Sequence, residues 1–230
     1  MGASIYLEHT SGRQIVIGDV HGCLDTLQTL IEEKLHLHSE DQLIFLGDII
    51  SRGPQSKGVL DYLLALQLEY DVTCIKGNHE HNFLTAYDCG LSFFEDFLAT
   101  YDAEDIMGGN LYAYLDFCAQ MPYYVETPTH LFSHMGFYET APLSYNDTRA
   151  FFHGQSIAVD LGAIQSKKQV HGHICQPLNK ILAAVTDEKK VIGIDGGCCF
   201  KEEDGLGYLC ALDVYGNELF VQRNKEKVIQ

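Results

Sequence analysis

The chain has 230 residues, 46% of them hydrophobic, enough for one sizeable core but too few for two, so a single domain spanning 1–230 is expected. Its 32 acidic and 15 basic side chains leave a net charge of −17, with no basic run longer than Lys167-Lys168 or Lys189-Lys190, which argues against binding a nucleic-acid backbone through clustered cations. No stretch approaches the roughly 20 apolar residues of a membrane span, and the start lacks a signal-peptide pattern, so a cytoplasmic protein with no membrane partner is expected.

The first hundred residues alternate apolar runs (14–17, 42–46 and 72–75) with segments of helical period. Leu24, Leu27, Leu30, Ile31 and Leu35 form one apolar stripe, and Val59, Leu60, Leu63, Leu64 and Leu66 another. This is the pattern of strands joined by crossover helices, with two parallel crossovers. Residues 82–120, rich in Phe, Tyr and Leu and broken at Gly90 and at Gly108-Gly109, are expected to form a helical insert. From 123 onward short β-type runs follow, at 123–126, 130–133, 168–170, 181–186, 191–194, 208–214 and 218–222. Turn signals such as Tyr215-Gly216-Asn217 separate them. An α/β half followed by a mostly β half points to an α+β fold with two sheets packed face to face and helices outside. The eight cysteines show no C-x-x-C spacing and are expected to be reduced thiols.

Each of the first three apolar runs is followed by a polar motif: GDVHG ending at Gly22, GDIISRG ending at Gly53 and GNHE ending at Glu80. Polar groups at the carboxyl ends of successive strands are where α/β sheets hold their chemistry. If the strand continues through Val20, Asp19 and His21 share one face and can grip one ion. The Asp48 carboxylate has two oxygens and can bridge two ions, while Asn78 offers an amide oxygen. Carboxylate, imidazole and amide donors suit manganese, iron, zinc or magnesium rather than a thiolate-bound metal. Two such ions about 3.5–4 Å apart make a phosphoester-hydrolysing centre. One such run alone would more often be a helix cap or a core histidine; three in order reverse that reading.

The runs GDVHG, GD-x-x-x-RG and GNHE in this order resemble the calcineurin-like metallophosphoesterases, over about 15–213. The nearest branch is the serine/threonine phosphoprotein phosphatases, with the symmetrical diadenosine tetraphosphatases related. The resemblance implies a four-layer α/β/β/α sandwich of two mixed sheets and two divalent ions, manganese first among them. It assigns Asp19, His21 and Asp48 to one ion, and the bridging Asp48 with Asn78, His134 and His173 to the other. His171 is a competing choice for the last ligand, and the Gly-His order at Gly172-His173 favours His173. His79 matches the general acid, Arg52 the phosphate-binding arginine and Arg149 a second one; an ordinary surface residue is an equal reading of Arg149.

Ser51 stands where the protein phosphatases carry an aspartate that pairs with the acid histidine, and its hydroxyl brings no charge to that ring. The tetraphosphatases carry a small residue there, whereas Glu80 fits the protein phosphatases better. The leading expectation is therefore a metal-dependent phosphatase acting on phosphate monoesters of a phosphoprotein or a small phosphate ester. The alternatives are a symmetrical bis(5'-nucleosyl)-tetraphosphate hydrolase and a non-catalytic metal- and phosphate-binding module.

Overall fold

In strands β2 (Gln14–Ile17) and β3 (Gln42–Phe45) every residue is buried, as expected of parallel strands covered on both faces. The glutamines that open them pair with each other, Gln14 Nε2 donating to Gln42 Oε1 at 3.0 Å. The computed structural model describes residues 4–8, 11–135, 166–201 and 204–226. Together with β4 (Asp71–Cys74), β2 and β3 form the parallel part of a five-stranded sheet, which β9 (Tyr208–Asp213) and β10 (Glu218–Arg223) extend in antiparallel fashion in the order β10-β9-β2-β3-β4. A second five-stranded sheet has the order β1-β5-β6-β7-β8. It is built from Ser4–Tyr6, Tyr124–Glu126, His130–Ser133, Lys168–His171 and Val191–Gly193, and β5 and β6 are its antiparallel pair.

Period-two alternation divides the core. Ile15, Ile17, Leu43 and Phe45 face helices, packing with Leu27, Leu30, Leu60, Leu63, Phe83 and Phe94. Val16 and Ile44 point the other way, into a cluster with Val125, Phe132, Val170 and Ile192 of the second sheet. The covering helices are α1 (Leu24–Gln28), which runs into a π-helical turn over Thr29–Leu35, α2 (Ser56–Leu66), α3 (Asn78–Asp88), α4 (Leu91–Thr100) and α5 (Leu111–Gln120). The aromatic-rich insert is thus helical, and its first helix starts at Asn78 itself. Among the described residues no helix is long and apolar enough to cross a membrane.

Three local expectations are corrected. The run 181–186 is not a strand but most of α6 (Leu178–Thr186), whose Ile181, Ala184 and Val185 lie three and four apart and enter the inter-sheet cluster. β2 ends at Ile17 rather than continuing through Val20, so pleat geometry does not bring Asp19 and His21 together. The short β1 at the edge of the second sheet carried no sequence signal: its three residues are all exposed, leaving no apolar alternation to read.

Candidate metal centre

The first two loops are laced together through their backbones. Asp48 C=O accepts from Val20 N–H at 3.1 Å and His21 N–H at 2.8 Å, and Ile49 C=O accepts from Gly22 N–H at 2.9 Å. The fit requires backbone turns that side chains rarely adopt: His21, Asp48, Ser51 and Arg52 have φ of 49°, 47°, 77° and 70°. Left-handed residues of this kind cost about 1–3 kcal/mol each and persist only where their surroundings over-determine them. Glu80 supplies much of that determination. Fully buried in the first turn of α3, its carboxylate accepts from Asp48 N–H and Gly77 N–H at 2.9 Å each through Oε2, and from Ile49 N–H at 2.9 Å and Ile50 N–H at 3.3 Å through Oε1. Burial and the nearby Asp48 raise its pKa to about 7. Gly47 is obligatory for a different reason: a Cβ there would lie 2.6 Å from the Gly77 nitrogen.

The second sheet contributes two imidazoles across the inter-sheet gap. His134, just past β6, hydrogen-bonds Leu46 C=O through Nδ1 at 2.9 Å, which turns Nε2 toward Asn78 Oδ1 at 3.0 Å, His173 Nδ1 at 3.1 Å and Asp48 Oδ2 at 3.4 Å. His173 (φ 66°) donates its backbone N–H to Asp19 Oδ2 at 3.0 Å. Gly172 precedes it because a Cβ there would meet Asp19 Oδ1 at 2.0 Å.

Among the described residues two sets of donor atoms converge, each within 4.8 Å: His21, Asp48 and His79, and Asp48, His134 and His173. Asp48 belongs to both. His21 Nδ1 is tied to Ile50 C=O at 3.2 Å just as His134 Nδ1 is tied to Leu46 C=O, the outer contact that fixes metal-binding imidazoles with the other nitrogen directed inward. Burial alone would neutralise Asp48, yet His134, His79 and His21 around it hold its carboxyl well below the usual range. Burial also opposes charge on His134, but Asp48 overrides it and raises the pKa to about 10. Asp48 is therefore the anionic centre of the site, and a cation bound there would take the place of the His134 proton. Burial lowers His21 to about 3 and His173 to about 4, leaving both imidazoles neutral and able to coordinate. The donor set fits divalent metal.

Residues 12–190 match the sequence profile described as calcineurin-like phosphoesterase. The chain belongs to the calcineurin-like phosphoesterases. Among curated relatives it is 38% identical, over 68 residues, to the symmetrical bis(5'-nucleosyl)-tetraphosphatase of Ectopseudomonas mendocina (strain ymp), an alignment covering 30% of this chain and 24% of that relative. The match thus spans about a quarter of the relative's length. Two solved structures share the fold: a proposed diadenosine tetraphosphatase (TM-score 0.66, 19% identity, 95% of this chain and 96% of that one) and a protein serine/threonine phosphatase from Saccharomyces cerevisiae (TM-score 0.62, 14% identity, 98% and 84%).

Of the nine site residues expected in this phosphoesterase, eight are described, and five of them, His21, Asn78, His79, His134 and His173, gather around a sixth, Asp48. Asn78, His134 and His173 meet it as a cluster, while His21 Nε2 stands 3.6 Å and His79 Nε2 4.0 Å from its Oδ2. Asp19 is present but turned toward the His173 backbone, and it lies outside both three-residue donor sets. Burial and the neighbouring Asp195 raise its pKa well above the usual range. Arg52 is exposed, with its backbone N–H donating to Tyr101 C=O at 2.7 Å. Arg149 lies outside the described residues. His171 is buried and its Nδ1 contacts Gly172 C=O at 3.0 Å, so it packs beside the site and is absent from both donor sets.

Sequence reading missed three contributors. Glu80 carried a signal, since an acidic residue at the third position of a helix reaches back to orphan N–H groups. Asp195, buried after β8 and accepting from Gly197 N–H at 2.8 Å and Cys175 Sγ at 3.1 Å, had none beyond the Gly-Gly that follows it. Tyr101, at the end of α4 within the insert, packs its ring edge-on to His79 with centroids 5.1 Å apart; nothing local set it apart from the insert's other aromatics.

Proposed function

We propose that this phosphoesterase hydrolyses phosphate monoesters, including phosphoserine or phosphothreonine in proteins, with two divalent ions, manganese first among them. The supporting observation is that a single carboxylate, Asp48, belongs to two convergent donor sets. In this reading Asp19, His21 and Asp48 hold one ion, and Asp48, Asn78, His134 and His173 the other. Bound there, the ions lower the pKa of a coordinated water and neutralise charge on the phosphoryl oxygens. Arg52 grips the phosphate with its forked guanidinium, a geometry lysine does not reproduce, and Arg149 is a second phosphate ligand. His79, buried with Nε2 toward Asp48, gives the proton that the leaving alkoxide needs as the P–O bond breaks.

The test is kcat/KM of the manganese-loaded chain on a phosphoserine peptide against diadenosine tetraphosphate in one buffer. Preference for the peptide is expected. A second reading, symmetrical dinucleoside tetraphosphate hydrolysis, rests on the names of the sequence relatives and on Ser51, since a nucleotide leaving group needs less protonation than an alkoxide. Preference for the dinucleotide would replace the first reading by the second.

A further inference from the structure

His79 has lost the partner that the surrounding motif leads one to expect, and nothing polar replaces it. Its Nδ1 is buried without a hydrogen-bond partner among the described residues, and so is Ser51 Oγ at the position of the absent carboxylate. The χ2 torsion of histidine is broad, so an imidazole held by no bond at Nδ1 is free to rotate and carry Nε2 off its line. Two rings restrict that rotation. His21 meets the His79 ring edge-on at 4.9 Å and 83°, and Tyr101 does so at 5.1 Å and 82°.

Of these, His21 is committed to the metal centre and to Ile50 C=O. The Tyr101 ring belongs to neither donor set and is itself held firmly. It follows α4, its N–H donates to Phe97 C=O at 3.1 Å, its ring packs on Phe97 at 4.9 Å, and its C=O accepts from Arg52 N–H at 2.7 Å. The carbonyl contact ties Tyr101 to the strained Ser51-Arg52 turn, where φ is 77° and 70°.

We infer that Tyr101 is a positioning residue for His79, aiming the proton donor by ring packing where the motif's carboxylate is missing. The inference rests on the phosphomonoesterase reading above. During turnover an oxygen of water bonds to phosphorus, the P–O bond to the leaving group breaks, and the departing oxygen takes the proton from His79 Nε2; water's lost proton restores the imidazolium. Tyr101 touches none of these atoms. Its contribution is the direction of Nε2, and the ring rather than the hydroxyl supplies it.

The test compares Tyr101→Phe, Tyr101→Leu and Tyr101→Met in the manganese-loaded full chain on a phosphoserine peptide and on p-nitrophenyl phosphate, whose phenolate leaves without a proton. Leu and Met preserve bulk against Phe97. A positioned general acid supplies about 10²- to 10⁴-fold. Misaiming it should lower kcat on the peptide about tenfold in the Leu and Met variants, and less than twofold on p-nitrophenyl phosphate, with KM and bound manganese unchanged. Tyr101→Phe should behave as wild type. Equal losses on both substrates would overturn the inference by making Tyr101 a general support of the fold. Crystal structures of wild type and Tyr101→Leu read the ring without reference to turnover: the His79 ring rotated about χ2 supports the inference, and an unmoved ring overturns it. Wild-type protein inactive on both esters would instead sink the phosphomonoesterase reading while the ring comparison still decides this one.

Discussion

The two sheets contribute to the site in different ways. The first delivers Asp19, His21, Asp48 and Asn78 from loops that brace one another, through Asp48 C=O and the four N–H groups gathered by Glu80. The second delivers His134 and His173 from strand ends whose bracing contacts reach across to the first sheet, at Leu46 C=O and the Asp19 carboxylate. The first half is braced within itself, whereas the second, beyond its Gly172 N–H to His134 C=O bond at 3.0 Å, is braced by its partner, so the second half leans on the first. Damage to the loops of the first sheet should therefore spread to both donor sets, while damage in the second should stay local.

The largest test of that asymmetry is Asp48→Asn. It removes the charge shared by both donor sets, and turnover should fall by about 10³-fold, the upper scale of losing one preorganised electrostatic group. Metal analysis should show both ions weakened together; two ions still tightly bound would end the shared-ligand assignment. Next comes Glu80→Gln, which keeps one acceptor oxygen and presents an NH₂ to backbone donors, leaving buried N–H groups unsatisfied at about 1–3 kcal/mol each. Manganese affinity should drop about 10- to 100-fold, as when an outer partner of a ligand is lost. If the metal isotherm is unchanged while the urea midpoint falls, Glu80 braces the fold but not the ligands. A smaller effect, of opposite sign, is expected for Ser51→Asp. Aspartate tolerates the left-handed backbone and supplies the carboxylate that the buried His79 Nδ1 lacks. Alkyl phosphate turnover should rise about tenfold, the cost of roughly one pKa unit of mismatch; no change would mean that Tyr101 already aims the ring fully.

The same asymmetry explains what could be read from the sequence. The first sheet's parallel strands and the candidate donors at their ends were legible because each of these apolar runs ends in its own motif, so residue type and position coincide. His134 and His173 were legible only through the motif order, since Phe132-Ser133-His134 and His171-Gly172-His173 contain no local reason to face Asp48. The placement of His21 was misread: alternation along a strand is a local rule, whereas a left-handed His21 held by Asp48 C=O from the next loop sets its direction. α6 was misread because Ile, Ala and Val in a six-residue window satisfy either period, and the decision came from packing against β8. Tyr101 was invisible because ring packing between the start of one helix and the end of the next leaves no spacing to detect.

The mildest prediction probes the far end of the first sheet, away from the metal loops. Asp41 precedes β3, and its carboxylate accepts from Arg13 N–H at 3.0 Å, from the Arg13 guanidinium at 2.5 Å and from His38 N–H at 2.9 Å. Burial alone would raise its pKa, but these bonds, the Arg13 guanidinium first, hold it below the usual value of 3.8. A depressed carboxyl contributes stability that is present above the unfolded-state pKa and is lost as pH falls through the folded-state one. Asp41→Asn should therefore unfold at lower urea than wild type at pH 7, with the gap constant down to about pH 4 and closing below it. Manganese content at pH 7 should stay as in wild type, because this contact braces the strand entry and not the ligand loops. A gap that closes near pH 7 instead would tie it to Glu80, the bracing carboxyl whose pKa is raised to about 7, and the two ends of the sheet would then not be independent.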